Sequence, residues 1–439
     1  MPSGIASIPV PSPLQFTAPP RRPSRVPTGI VAATVAGNAL EFYDFVTYAF
    51  FAVYIGRAFF PASTPMGSLL LSVAVFGVGF FARPLGGVLI GAFADRVGRR
   101  PAMLLTIGLI TVGTLGLALT PSFASIGLAA PIIVVLCRLV QGLALGGEVG
   151  PASAFLIEAA PEGKRGLYAS WQIASQGAAA GVAGLMGLTM NSLLTPGQMG
   201  AWGWRVPFLV GLLLVPLAIY LRRSMPETLH AMPSRKENCG KAGLTRHRRL
   251  IVVAILVVLG GTVSTYVINF MTTYAITTLK MSPGIALSAT VVGGFVTMFC
   301  ALLGGWLSDR FGRKATMLWP RVLAAVVTVP AFMLLVATPS PVMLLAVSAV
   351  LAALTAISGA GSIVAIPELL PRGIRATGMS IAYAVGVSVF GGTTQLLITW
   401  MIAATGNAVA PAWYVAATSV VTVLAILALP ESRDRALED

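Results

Sequence analysis

Charge is scarce in this chain. Of 439 residues, 10% are Asp, Glu, Lys or Arg and 56% are hydrophobic. Soluble domains carry nearer a quarter charged residues, so a water-soluble fold is excluded, and so is a disordered chain. The only two histidines, His230 and His247, share one polar stretch. The apolar runs therefore hold no imidazole base and no histidine-built metal cluster, and a membrane enzyme has little to work with. Three cysteines, Cys137, Cys239 and Cys300, are too few and too scattered for a disulfide framework or a zinc site. No G-x-x-x-x-G-K-[ST] loop is present, which argues against a nucleotide-driven pump. No cofactor is expected.

Long apolar runs are what the chain does have. Mean hydropathy is +0.87, and stretches of about 20 apolar residues, each enough to cross a bilayer, recur throughout. Twelve spans are read, near 29–54, 67–93, 101–120, 126–157, 167–190, 205–221, 250–278, 284–307, 315–337, 342–369, 374–402 and 412–429. The expected fold is all-α, twelve transmembrane helices in two six-helix bundles. The net charge of +15 then reports topology. Twenty-three of the 29 Lys and Arg fall in the tails and alternate loops that share one face; Arg57, Arg205 and Lys280 lie on the other. That bias places the basic face and both termini in the cytoplasm. It leaves no separate basic domain for nucleic acid. The expected organisation is a cytoplasmic tail at 1–28, bundles at 29–221 and 250–430, a cytoplasmic linker at 222–249 and a tail at 431–439. The first 28 residues lack the charged start and apolar core of a cleaved signal.

Two motifs repeat. D-R-V-G-R-R at 95–100 returns as D-R-F-G-R-K at 309–314, and E-x-x-P-x-x-x-R at 158–165 returns at 368–375. The offsets, 214 and 210 residues, nearly agree. They indicate a duplicated six-helix unit in unchanged orientation, with substrate expected between the halves. At these motifs the chain resembles the major facilitator superfamily. Asp95, Arg99 and Arg100, with Asp309, Arg313, Glu158, Arg165, Glu368 and Arg375, are expected to latch helix ends as a gate.

A charge at mid-bilayer costs about 2.5–3.5 kcal/mol on insertion scales, so each one implies a partner or a task. Glu41 and Asp44 lie three apart in G-N-A-L-E-F-Y-D-F, on one helical face. Arg83 precedes Pro84, and Arg138 and Glu148 share C-R-L-V-Q-G-L-A-L-G-G-E-V-G. Arg321, near a helix end, is expected to snorkel to the surface. These strings, with G-L-Y-A-S-W-Q-I-A-S-Q at 166–176, resemble the metabolite–proton symporter family, and S-I-G-L-A-A-P at 125–131 its citrate and tricarballylate branch.

The resemblance implies that Asp44 pairs with Arg138 and takes the proton, with Glu41 and Glu148 as further acids. Arg83 and Arg138, with Tyr266, Asn269 and Gln395 from the second half, are the expected substrate contacts. The implied function is proton-coupled import of a small organic acid, citrate or another di- or tricarboxylate, by a protein working as a monomer in lipid. A zwitterion such as proline or betaine is the alternative substrate. A non-transporting nutrient sensor is the alternative of another class.

Overall fold

A computed structural model describes residues 28–97, 99–146, 156–157, 160–161, 163–213, 215–223, 247–370 and 372–433. Of the expected gate and proton residues, Glu148 and Glu158 lie outside the described residues, as do the side chains of Asp95, Arg99, Arg100 and Arg375.

The helices in chain order are α1 (Thr28–Phe50), α2 (Pro65–Val97), α3 (Arg99–Leu119), α4 (Ala129–Gly146) and α5 (Arg165–Leu193). Val206–Leu213 and Val215–Arg223 together form α6. Then come α7 (Arg248–Thr277), α8 (Pro283–Phe311), α9 (Arg313–Ala337) and α10 (Pro341–Leu369). Arg372–Val385, a π-helical turn at Gly386–Gly391 and Gly392–Thr405 make up α11, and Ala410–Leu427 is α12. Among the described residues, nine of these are long and apolar enough, by length and composition, to span a membrane. The shorter apolar stretches Leu104–Leu119 and Gly203–Leu217 belong to α3 and α6. Each of the twelve elements overlaps one expected span; residues 147–155 of the fourth lie outside the described residues.

Local sequence explains where helices start and stop. Pro283 and Pro341 occupy first-turn positions, where the missing N–H costs nothing. Ser340 caps α10 by accepting from the Met343 N–H at 3.2 Å. Gly312, the glycine of D-R-F-G-R-K, breaks α8 from α9 at φ 101°, a value few other residues adopt. Gly406 ends α11 in the left-handed conformation at φ 65°.

The packing has the symmetry of a repeat. α2 lies on α4 as α8 lies on α10, and α3 on α4 as α9 on α10. α1 contacts α5 and α6, as α7 contacts α11 and α12. The halves meet along two seams, α5 against α8 and α2 against α11. Both need small residues, because without water to drive association membrane helices bind by close backbone approach. A Cβ on Gly177 would stand 2.5 Å from the Met298 nitrogen. Between the seams, Phe45 and Phe80 meet Tyr266 of the other half edge-on, with centroids 5.9 and 5.3 Å away. Leu115, Leu136, Val326 and Leu424 stay exposed on the outside, an apolar surface suited to lipid.

Candidate functional site

Asp44 and Arg138 are both buried, and no ion pair joins them directly. The expectation of a direct pair is corrected: Gln141 stands between them. Its Nε2 donates to Asp44 Oδ2 at 2.7 Å, and its Oε1 accepts from Arg138 Nη1 at 2.7 Å. An amide has one donor end and one acceptor end, so it can face a carboxylate and a guanidinium at once. Thr114 on α3 donates to Asp44 Oδ1 at 2.7 Å and accepts from Gln141 Nε2 at 3.0 Å. The Arg138 guanidinium also lies 3.7 Å from the centroid of the Tyr48 ring, where the π face attracts a cation. Gln141 is one turn beyond Arg138 on α4, which is why a single helix can hold both ends of the bridge.

The relay is separate from the central cavity. Glu41 and Asp44 line a small crevice with Thr111 and Thr114 of α3 and Gly211 and Val215 of α6. The cavity lies between the halves, with about 1230 Å³ of empty space counting its open mouth. Phe42, Val46, Gln176 and Gly177 contribute from the first half, and Tyr266, Asn269, Ser362 and Tyr383 from the second. No Asp or Glu is among its described lining residues.

One cation is. Arg321 lines the cavity at 1% exposure, which overturns the snorkelling expectation. It sits eight residues into α9, about 12 Å along the axis, too deep for its side chain to regain the surface. Its Nη1 donates to the Gly260 carbonyl and to Ser264 Oγ of α7, both at 2.9 Å.

The other expected substrate contacts divide. Tyr266 and Asn269 line the cavity; Arg83, Arg138 and Gln395 do not. Arg83 is tucked behind the aromatic cluster, its guanidinium 4.0 Å from the Phe80 centroid and 5.0 Å from that of Phe45. Gln395 is fully buried, and neither end of its amide has a partner.

At the end of the molecule that carries the loop motifs, the second repeat forms a latch across the halves. Asp309 Oδ1 and Oδ2 accept the backbone N–H groups of Gly166 and Leu167 at 2.8 and 2.9 Å. A carboxylate thus caps the positive end of α5. Arg313 donates from Nη1 to Asp309 at 2.7 Å and from Nε and Nη2 to both oxygens of Glu368, each at 3.1 Å. Arg165 of the first half reaches Glu368 at 3.6 Å. The stretch expected to start a free tail joins in. Ser432 Oγ donates to Glu368 at 2.9 Å, and Glu431 caps α9 by accepting from the Arg313 and Lys314 N–H groups, both at 2.9 Å. Burial pushes the Glu431 carboxyl up, but the backbone N–H groups of Lys314, Arg313, Arg433 and Ser432 hold it below the usual range.

Sequence reasoning missed Gln141, Thr114 and the inward turn of Arg321. Gln141 was visible as a polar residue one turn from Arg138; Thr114, an ordinary threonine in an apolar run, gave no signal.

Comparison with known proteins agrees with this architecture. The family model for the Major Facilitator Superfamily matches residues 34–328, and that for "Sugar (and other) transporter" matches 232–439. A citrate–proton symporter of Klebsiella pneumoniae is 36% identical over 401 residues, 90% of each chain. The alpha-ketoglutarate permease of Escherichia coli K12 is 34% identical over 91% of this chain and 93% of its own. The proline/betaine transporter of the same strain is 30% identical over 93% of this chain and 84% of its own. Among solved structures, the E. coli xylose transporter XylE in a partially occluded inward-open conformation superposes with a TM-score of 0.77, covering 93% of this chain and 99% of that one at 18% identity. That likeness concerns the fold alone. With its twelve helices, its paired loop motifs and these relatives, the chain is a multi-pass membrane protein, not an enzyme, and belongs to the major facilitator superfamily, among its proton-coupled metabolite symporters.

Proposed function

We propose that this chain imports a small organic acid, citrate or another di- or tricarboxylate, together with protons, by alternating access of its two halves. It does so in the inner membrane with both termini in the cytoplasm, as a monomer. The observation that carries this reading is Asp44, a buried carboxylate whose oxygens meet neutral donors. Asp44 can take up or release a proton without breaking a direct ion pair. Of its two donors only the Thr114 hydroxyl can turn round and accept; the Gln141 Nε2 amide group cannot. The proton therefore goes to Oδ1, facing Thr114. A neutral Asp44 relaxes its pull on Gln141 and, through it, on Arg138, so the charge state of α1 is felt on α4.

Substrate and proton occupy different compartments, the central cavity and the crevice beside α3 and α6. Coupling between them runs through helix movement. The organic-acid reading is supported by the relatives: those named for citrate and alpha-ketoglutarate share more identity than those named for proline and betaine.

Reconstituted vesicles test the reading. With an inward proton gradient they should accumulate labelled citrate or a related acid. A protonophore should stop accumulation and leave counterflow intact. Asp44→Asn should do the same, since Asn mimics the protonated acid. Accumulation that survives the protonophore and follows a sodium gradient would refute proton coupling, and accumulation of betaine or proline alone would replace the substrate.

A further inference from the structure

We infer that Arg321 is the carboxylate anchor of the central cavity. This rests on the organic-acid reading and adds the residue that selects the charge of the substrate. Arg321 is the one cation among the described residues of the cavity wall, and no acid is there to offset it. No carboxylate of the described residues lies within ion-pair distance of it. Removing a charge from water without a counter-charge costs several kcal/mol in a protein interior. A fold that keeps such a charge in a solute-sized cavity is incomplete until an anion arrives.

The guanidinium is also held in place for the task. Nη1 is tied to Gly260 and Ser264 on α7, which fixes the plane of the fork. Nη2 stands beside Gly261, where even a Cβ would come within 3.7 Å, and Gly261 itself lines the cavity. A branched side chain at 261 would extend from that contact over the guanidinium. Gln176 Nε2, a buried amide donor, belongs to the same cavity wall from the first half. A dianion has a charged anchor on α9 and an amide on α5, one on each half. Filling both ties the halves together around the solute, as occlusion requires. A zwitterion would bring an ammonium that meets no acid in the described wall.

Direct binding to purified wild-type and variant protein decides this, with citrate, 2-oxoglutarate, acetate and betaine as probes. Wild type should bind the di- and tricarboxylates and leave betaine unbound. Arg321→Gln should weaken citrate about a hundredfold, and Arg321→Lys about tenfold, since ammonium keeps the charge and loses the fork. In counterflow the loss should fall on KM, with kcat at saturating substrate within about threefold. Gly261→Val leaves the charge in place and blocks its approach, so it should weaken citrate even if Arg321→Gln does not fold. Wild-type affinity for citrate in Gly261→Val, or in a folded Arg321→Gln, would overturn the anchor and leave the transport reading standing. Wild-type protein that binds betaine and no carboxylate would overturn both.

Discussion

Gln141 separates two charges that a reader of the sequence would pair. A direct pair would lock α1 to α4 and resist protonation, because attraction to Arg138 would stabilise the ionised acid. Gln141 lets each charge keep a hydrogen bond without contact. Gln141→Leu, of similar size, would strand one Asp44 oxygen and Arg138 Nη1 in the interior. Buried groups that lose their partner cost about 1–3 kcal/mol each. The variant should unfold at a lower temperature in detergent, and its vesicles should exchange substrate while failing to concentrate it. A variant that melts and concentrates like wild type would mean that Asp44 and Arg138 act without the bridge.

Among helices, the α2–α4 contact depends most on what is missing from its side chains. A Cβ on Gly142 would collide with the Gly79 carbonyl, one on Gly86 with the Leu143 carbonyl, and one on Gly146 with the Arg83 carbonyl. The spacing of Gly142 and Gly146 is the four-residue step that lets helices touch backbone to backbone. Gly142→Ala should therefore destabilise by more than about 2 kcal/mol, the scale of overpacking a filled interior, visible as a lower melting temperature and a lower folded yield. Gly108 on α3 has open space where its Cβ would go. Gly108→Ala should be neutral or stabilise by up to about 1 kcal/mol, through helix propensity alone. Equal behaviour of the two variants would contradict close packing at the seam.

In the whole molecule, the α5–α8 seam and the latch on the motif-bearing face hold the halves together. Asp309 joins them through two backbone N–H groups of α5, and Arg313 ties Asp309 to Glu368. Asp309→Asn keeps the shape but loses the charge at a helix N-terminus, and its NH₂ end cannot accept from an N–H. The face should then open more often. A cysteine placed at Ser362, in the cavity wall, should react several-fold faster with a water-soluble maleimide in the Asp309→Asn background, with the native cysteines replaced. An unchanged rate would mean that the latch does not close this face.

Composition and order along the chain already determined the membrane environment, the apolar spans, the duplicated motifs and the burial of Glu41, Asp44, Arg83 and Arg138. These are properties of windows of residues, and a bilayer reads windows: 20 apolar residues span it whatever they pack against. What a side chain faces is another matter, because it depends on how each helix is rotated against its neighbours. Only the tertiary structure turned Arg321 inward to α7, set Arg83 behind Phe80, put Gln141 between Asp44 and Arg138, and brought Glu431 and Ser432 back to the latch. A buried charge must find its partner in three dimensions, and a chain read in order does not say which helix supplies it.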